Sequence, residues 1–208
     1  MAVNYDVIAA DIIDIRVDTP KAEDVFLVDS NVWYWMTYTR ASLGIKPWMR
    51  RHVHDYPAFV NKAITARAKL CRCGLSFAEL AYSIETTEWK IFKKTIGPIN
   101  RKEYRHNYAK ERSNVVSEVK AAWGQVKTMA SSLDVAINDG ITDAALSRFE
   151  KECVDGYDPF FLEAMSNEKV IQIITDDGDY ATVSGMRVFT ANQNVITAAQ
   201  KQGKFVTR

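Results

Sequence analysis

A short apolar run followed directly by helix-capping residues limits the possible folds more than any other part of the chain. Residues 25–28 are all apolar, and Asp29 closes the run. An apolar run without polar alternation is typical of a strand buried on both faces of a parallel sheet. Ser30 and Asn31 are favourable N-cap residues, and they predict a helix that continues to about Arg40. A strand followed directly by a helix is the beginning of a βαβ unit.

The rest of the chain continues this alternation. We predict further strands at residues 134–138, 170–175 and 187–190, and helices at about 56–74, from 76, 101–130, 142–153, from 158, and 192–202. Strands that alternate with helices predict an α/β fold with three layers, α/β/α, and a central, Rossmann-like parallel sheet of about four to five strands. Extra helices are inserted in the middle of the chain, around residues 97–132.

The segment before the first predicted strand has a pattern of its own. Residues 1–24 are predicted to be an N-terminal extension to one domain over residues 25–208. Apolar and charged residues alternate over positions 13–18, which is the period of a strand. The pattern is compatible with an edge strand and with an arm that packs on a partner.

Composition limits the class of protein. A chain of 208 residues with 47% hydrophobic residues suits one domain with a substantial core, and the net charge of +1 indicates no particular partner. Three cysteines are an odd number, and Cys71 and Cys73 lack the spacing of a zinc or redox pair. The first residues lack a basic signal region, and no apolar run approaches the ~20 residues that span a bilayer. We expect a cytoplasmic protein with reduced thiols and no membrane association.

Acidic residues stand where the predicted strands end and helices begin. Asp29 ends the first strand, Asp177 follows the strand at 170–175, and Asp158 begins the helix before that strand. Glu79 lies near the start of another helix. Because ligands of parallel sheets bind beyond the carboxyl ends of the strands, we expect these carboxylates to share one rim. Such a rim needs a neutralising cation, and oxygen ligands favour a divalent metal and phosphate chemistry.

These acids belong to segments whose order is informative. The segments are residues 28–31, 75–80, 158–164 and 175–180, with residues 190–192 at the exit of the last strand. The first segment places Asp29 before small hydroxyl and amide residues, and the second places a serine shortly before Glu79. The third continues Asp158 with apolar helix residues. The fourth has Thr175, then Asp177, then an acidic–aromatic pair. Together the segments resemble the motifs of the PIN-domain nucleases, over residues 24 to 203.

The resemblance implies a ribonuclease that uses one or two Mg²⁺ or Mn²⁺ ions to activate water against an RNA phosphodiester bond. The catalytic carboxylates and metal ligands would be Asp29, Glu79, Asp158 and Asp177, with Asp179 as an additional ligand. Ser30 and Thr175 would orient a carboxylate or a water at the metal.

Two positions in this assignment have competitors. Asp155 competes with Asp158 for the third position, and Asp158 is preferred because apolar residues continue a helix after it. Asp176 competes with Asp177 for the fourth, and Asp177 is preferred because it follows a threonine by two residues. Aspartates after strands also serve as turn residues or helix caps.

Two basic clusters are candidates for contact with the RNA backbone. Arg50 and Arg51 form the first, and Arg101, Lys102 and Arg105 belong to the second. Solvated helix faces carry similar clusters routinely, so the sequence leaves both interpretations open.

The resemblance also implies a biological setting. Ribonucleases of this family include toxins of toxin–antitoxin pairs and related stress or defence nucleases, so we expect an antitoxin or other inhibitory protein and self-association as a homo-oligomer. A non-catalytic PIN-like module that binds RNA or protein is the alternative. A phosphohydrolase of small phosphates would need a second aspartate two residues after Asp29, where Asn31 stands.

Overall fold

A computed structural model describes residues 3–44 and 49–208 of the chain. Its centre is an open sheet in which every pair of neighbouring strands is parallel. The strands are β1 (Asp11–Asp14), β2 (Val25–Val28), β3 (Lys69–Cys73), β4 (Ser131–Leu133), β5 (Gln172–Ile174) and β6 (Arg187–Thr190). Their order is β1-β6-β5-β2-β3-β4. The chain therefore leaves β2 towards β3 on one side and later returns to β5 on the other, which places a topological switch point between β2 and β5.

Helices cover both faces of this sheet. They are α1 (Ser30–Thr37), α2 (Ala41–Gly44), α3 (His52–Thr65), α4 (Ser76–Ile96), α5 (Arg101–Asn107), α6 (Ala109–Met129), α7 (Asp139–Phe149), α8 (Asp158–Asn167) and α9 (Gln193–Lys201). A 3₁₀ turn spans Asp179–Thr182. Helices α1, α3, α4 and α6 pack on one face, and α8 and α9 pack on the other. The predicted three-layer α/β/α fold is confirmed, and its sheet has six strands within the described ranges where four to five were predicted.

The central strand β2 shows why its sequence is continuously apolar. Successive side chains of a strand point to opposite faces of the sheet. Phe26 contacts Phe189 edge-to-face at 4.8 Å between ring centroids, in the core beneath α1 and α3. Leu27 lies in the opposite core with Ile173 and residues of α8 and α9. Both faces of β2 are therefore buried, as the sequence predicted.

The N-terminal segment contains the edge strand of the sheet. β1 pairs with β6 in the register Asp11 to Arg187 through Asp14 to Thr190. Arg208 ties the end of the chain to the same region, because its guanidinium forms ion pairs with the buried carboxylates of Asp18 and Asp24. Of the two interpretations of the pattern at positions 13–18, the structure shows the edge strand, shifted towards the N-terminus.

Two predicted elements near β3 and β4 were wrong. The helix predicted over residues 56–74 ends at Thr65, and Arg67 turns the chain with a φ of 64° into β3, which carries polar residues among its buried cysteines. The strand predicted at 134–138 lies instead at Ser131–Leu133, where it pairs with β3. Only Leu133 of that strand is buried, so the sequence carried no apolar signal there.

Helix boundaries also moved. The side chain of Asp29 caps α1, which ends at Thr37, and Asn138 caps α7 in place of the predicted start at residue 142. The helix predicted over residues 101–130 is divided at Tyr108 into α5 and α6. None of the helices in the described ranges combines the length and the apolar character that crossing a lipid bilayer requires.

Candidate metal centre

The site begins where β2 and β5 end side by side. Asp29 N donates to Ile174 O at 3.1 Å, so the backbone after β2 stays paired with β5 up to the edge of the sheet. Thr175 is fully buried, and its Oγ1 donates to Asp29 Oδ2 at 2.5 Å. Asn31 Nδ2 donates to the same oxygen at 2.8 Å. These bonds fix the carboxylate of Asp29 at the switch point of the sheet.

Glu79 reaches the same rim from a neighbouring strand. α4 begins shortly after β3, and Glu79 lies in its first turn. Ser30 Oγ donates to Glu79 Oε2 at 2.5 Å, and this hydroxyl also lies 3.3 Å from Asp29 Oδ1. The serine that follows Asp29 therefore connects the two carboxylates.

Asp158 enters the site from the opposite layer. It is the first residue of α8, it is buried, and its Oδ1 accepts a hydrogen bond of 2.7 Å from Tyr180 Oη. Pro159 follows in the first turn of the helix, where its fixed φ is suitable. Tyr180 is completely buried, so it holds Asp158 from within the core.

The turn after β5 supplies the remaining acids. Asp177 N donates to Thr175 Oγ1 at 2.9 Å, and Asp177 Oδ1 accepts a bond of 3.0 Å from Asp179 N. One carboxylate oxygen each of Asp155, Asp158 and Asp179 lies within 4.8 Å of the others. The turn therefore places Asp177 and Asp179 beside the carboxylates of Asp29 and Glu79 and beside the start of α8.

These side chains surround one cleft of about 430 Å³, which we call the acidic cleft. Its lining comprises Asp29, Ser30, Asn31, Ala78, Glu79, Tyr82, Ser83, Asp155, Tyr157, Asp158 and Asp177. Five carboxylates are among these residues, whereas lysine, arginine and histidine are absent from this lining in the described ranges. The acidic cleft is therefore strongly negative.

The helix termini reduce the cost of this concentration of charge. Asp29 caps α1, Glu79 lies in the first turn of α4, and Asp158 begins α8. The N-terminus of a helix carries a partial positive charge, which favours a carboxylate beside it. The three helices therefore offset part of the repulsion among these acids.

Burial and the repulsion that remains among the carboxylates raise their pKa values. Burial, with the nearby charges of Glu79 and Asp177, raises the pKa of Asp29 to about 7. Burial and the surrounding carboxylates raise the pKa of Asp158 to about 8 and that of Asp179 to about 6. Burial is also the main cause of the raised pKa of Glu79 and of Asp177. The cleft therefore favours bound positive charge, either as protons or as a cation.

The donor atoms fit a hard divalent metal ion. The groups that could hold it are carboxylates and hydroxyls, which suit Mg²⁺ and Mn²⁺ rather than softer ions. Asn31 Oδ1 adds a buried oxygen that has no hydrogen-bond partner among the described residues. A buried amide oxygen without a partner is costly, and a hydrated cation nearby would satisfy it.

The structure separates the competing acids. Asp155 and Asp158 both line the acidic cleft, Asp155 exposed and Asp158 buried. Asp176 points away from it: its Oδ1 accepts from Tyr56 Oη at 2.9 Å, and its Oδ2 lies 3.3 Å from His52 Nδ1. The preference for Asp177 over Asp176 agrees with this placement, whereas Asp155 joins the cleft together with Asp158.

Sequence reasoning missed the side chains that hold the acids. Asn31 was assigned as a helix cap, but it donates to Asp29. In the sequence Tyr180 is only the aromatic member of the acidic–aromatic pair, and Tyr56 is only the start of a predicted helix, but Tyr180 donates to Asp158 and Tyr56 donates to Asp176. The acidic–aromatic pair at Asp179 was the one sequence signal that pointed towards Tyr180.

The predicted RNA-contacting residues lie outside the acidic cleft, since none of the five lines it. Arg101 stacks over Tyr82 at 4.1 Å from the ring centroid, and Arg105 forms an ion pair with Glu85 at 2.5 Å. Tyr82 lines the cleft, so this cluster borders it. Lys102 is exposed on α5, and Arg50 and Arg51 precede α3.

Comparison with known proteins finds no protein-family model that matches this chain, and no curated protein whose sequence matches it.

Proposed function

We propose that this chain is a metal-dependent endoribonuclease of the PIN type, which hydrolyses RNA phosphodiester bonds with Mg²⁺ or Mn²⁺. The observation that carries the proposal is the acidic cleft itself. Asp29, Glu79, Asp158 and Asp177 come from four separate parts of the chain and line one cleft at the switch point of a parallel sheet. Concentrated carboxylates at such a point are typical of metal-assisted phosphate chemistry.

The first role of the site residues is to hold the metal. Asp29, Glu79, Asp158 and Asp177 would hold the metal, with Asp155 and Asp179 beside them. When bound, the metal supplies Lewis-acid polarisation of the phosphate and lowers the pKa of the attacking water.

The other polar residues of the site keep the carboxylates in position. Thr175 and Asn31 hold Asp29, Ser30 holds Glu79, and Tyr180 holds Asp158. Because these hydrogen bonds go to the ionised form of each acid, they favour the deprotonated state that a metal requires. The N-terminal end of α1 also opens at the cleft, where its dipole favours a phosphate group.

The proposed setting comes from the resemblance to the PIN-domain nucleases, and the charge of the acidic cleft suggests how a partner would inhibit the enzyme. We propose a toxin of a toxin–antitoxin pair or a related stress or defence nuclease, whose partner inhibits it by inserting a basic side chain into the acidic cleft. A guanidinium would form charge-assisted hydrogen bonds with the carboxylates in place of the metal. A cytoplasmic location suits the three free cysteines Cys71, Cys73 and Cys153. We also propose that the protein acts as a homo-oligomer.

One observation favours a second candidate, a non-catalytic PIN-like module that binds RNA or protein. The pKa of Asp29 is raised to about 7 and that of Asp158 to about 8, so both acids can hold protons near neutral pH. When these carboxyl groups are protonated they carry no charge, so the cleft needs no metal to be stable. This candidate predicts RNA or protein binding without hydrolysis.

The deciding experiment is cleavage of a fluorescent single-stranded RNA by the full chain in Mg²⁺ or Mn²⁺, with and without EDTA. Asp29→Asn removes a proposed ligand, and Asp143→Asn makes the same change at an exposed position on α7. We expect cleavage by the wild type and Asp143→Asn, a loss of at least a hundredfold in Asp29→Asn, and none in EDTA. Cleavage that persists in EDTA or in Asp29→Asn would refute the proposal.

Metal binding has an independent readout in thermal stability. A ligand at a hundred times its Kd stabilises the folded state by about 2.7 kcal/mol, which raises the Tm of a chain of this size by about 5–10 °C. We expect this rise with Mn²⁺ for Asp143→Asn and not for Asp29→Asn. RNA binding without hydrolysis, and without a metal-dependent rise, would favour the second candidate.

A further inference from the structure

A second cavity, which we call the α4–α6 groove, adjoins the acidic cleft. It has a volume of about 640 Å³ and lies between one face of α4 and the facing side of α6. Ala78 and Tyr82 of α4 line both cavities, so the two form one continuous surface. The wall contributed by α6 belongs to the helical segment inserted in the middle of the chain.

Aromatic rings are accessible in this groove. Phe77 is 44% exposed and meets the half-buried Trp123 at 5.5 Å between centroids. Tyr82 is 55% exposed at the junction with the acidic cleft. Large aromatic side chains are costly to leave in water, and such rings provide stacking surfaces for unpaired bases.

The charges of the groove are opposite to those of the cleft. The groove is lined by Arg105, Arg112, Lys120 and Lys127, and Glu85 is its one carboxylate among the residues that the structure describes. Glu85 is ion-paired with both arginines but neutralises only one positive charge, so one arginine charge and the two exposed lysines of α6 remain as the excess. The two lysines are seven residues apart, about 10.5 Å along the helix, on the face turned to the groove.

The α4–α6 groove can supply the affinity for RNA that the acidic cleft lacks. The carboxylates of the acidic cleft repel the phosphates of an RNA strand, so the affinity for a strand must come mainly from outside the cleft. The α4–α6 groove provides positive charge and aromatic rings next to it. An acidic protein segment would suit the charge as well, but the exposed rings and the continuity with a cleft suited to phosphate chemistry favour RNA.

We propose that the α4–α6 groove binds the single-stranded stretch of RNA that leads into the acidic cleft. Bases stack on the exposed Phe77, and phosphates lie at Lys120 and Lys127. This inference rests on the proposed function, because it assigns to the nuclease the path and the single-stranded form of its substrate.

The test measures RNA binding without turnover, in the Asp29→Asn background of the full chain. Fluorescence anisotropy with a fluorescein-labelled single-stranded RNA is recorded in Mg²⁺ from 50 to 300 mM KCl. Lys120→Ala with Lys127→Ala should lower the slope of log Kd against log salt by about 1.4, since each single-strand phosphate contact contributes about 0.7. Phe77→Ala should weaken binding by about 5- to 100-fold through the loss of one stacked base.

The matched control is Lys62→Ala with Lys201→Ala, which removes two exposed lysines in the last turns of α3 and α9. It should leave the salt slope within the error of the parent protein. An unchanged slope and affinity in the groove variants would overturn the inference and leave an acidic protein segment as the occupant that the charge favours. Equal affinity for a duplex RNA of the same sequence would overturn it as well.

The outcomes separate this inference from the proposed function. If the wild type does not cleave RNA but the groove variants lower RNA affinity, the nuclease proposal fails and the groove assignment stands. If the wild type cleaves RNA, and the groove substitutions neither weaken binding in the Asp29→Asn background nor slow cleavage when made in the wild-type chain, the groove assignment alone fails.

Discussion

Ser30 Oγ donates a hydrogen bond of 2.5 Å to Glu79 Oε2, and thereby joins the first turn of α1 to the first turn of α4. A glutamate in the first turn of a helix is ordinarily solvated, and nothing local directs it towards a strand end 50 residues earlier. Here the residue next to Asp29 holds the glutamate at the rim of the acidic cleft. This bond makes Glu79 a member of the site.

We expect Ser30→Ala to reduce metal affinity or RNA cleavage by about 10–100-fold, the range found when groups that orient metal ligands are removed. Glu79 would lose the hydroxyl that fixes it, while its charge and the fold remain. The measurements are metal titration and the rate of cleavage at limiting Mn²⁺. Ser147→Ala is the control, since Ser147 Oγ donates to a helix carbonyl on α7 at 3.0 Å. Full activity of Ser30→Ala at limiting metal would show that Glu79 needs no such support.

The acids of the cleft predict an unusual pH dependence of stability in the metal-free protein. The pKa of Asp29 is raised to about 7 and that of Asp158 to about 8, from 3.8. Between about pH 4 and these values the folded state binds more protons than the unfolded state, so the free energy of unfolding falls as the pH rises. Urea denaturation in EDTA should show lower stability at pH 8.5 than at pH 5.

The same measurement on Asp29→Asn isolates one of these groups. The amide cannot ionise, so the variant should have a shallower pH dependence and a higher stability than the wild type at pH 8.5 in EDTA. A protein that loses activity while gaining stability is expected where a site concentrates repelling charges. A wild-type stability that rises steadily from pH 5 to pH 8.5 would contradict this account of the cleft.

Tyr56 positions the loop that carries Asp177. Its buried hydroxyl donates towards Thr175 O and Asp176 Oδ1 and accepts from Ala191 N at 2.9 Å. Tyr56→Phe leaves these groups without a partner, which costs about 1–3 kcal/mol of stability. We expect reduced RNA cleavage as well, since the turn after β5 loses its attachment to α3.

A matched tyrosine separates the two effects of this change. Tyr34 Oη shares a buried hydrogen bond of 2.8 Å with Thr87 Oγ1, between α1 and α4. Tyr34→Phe should lower stability in urea denaturation by about 1 kcal/mol and leave the cleavage rate of the folded protein unchanged. If both variants lose activity equally, the effect of Tyr56→Phe is one of general stability.

Gly178 admits the N-terminal segment to the rim of the site. A Cβ at Gly178 would lie 2.1 Å from Tyr5 Oη, so Tyr5 occupies the space that a side chain would need. We expect Gly178→Ala to displace Tyr5, to cost about 1–3 kcal/mol, and to speed hydrogen exchange at Ile8, whose N donates to Gln202 Oε1 at 2.8 Å. Tyr5→Ala removes the obstacle, so the double variant should lose no more stability than Tyr5→Ala alone. Additive losses would show that Gly178 is required for another reason.

Local patterns allowed the three-layer fold and much of the candidate site to be predicted. β2 is buried on both faces and therefore had to be continuously apolar. The boundaries of β6 were predicted at residues 187–190, and α9 begins after the cap Asn192. Asp29 and Asp177 could be placed at one rim because the carboxyl ends of parallel strands share an edge.

β3 and β4 could not be predicted, because their burial depends on neighbours distant in sequence. β3 has an exposed Lys69 and a half-buried Arg72 among its buried residues, and two of the three residues of β4 are exposed. Their strand conformation is stabilised by pairing with β2 and with each other across the sheet. Propensity within a short segment contains no information on such partners.

Residue order alone shows which acids are available and that Asp29 and Asp177 follow parallel strands, because strand ends and helix caps depend on neighbouring residues. It does not show that Asp155 joins Asp158, that Asp176 turns to Tyr56, or that Ser30 holds Glu79. Those arrangements depend on the folded protein, because hydrogen bonds and charges from other elements set the direction of a carboxylate, and these elements meet only when the two cores close over the sheet.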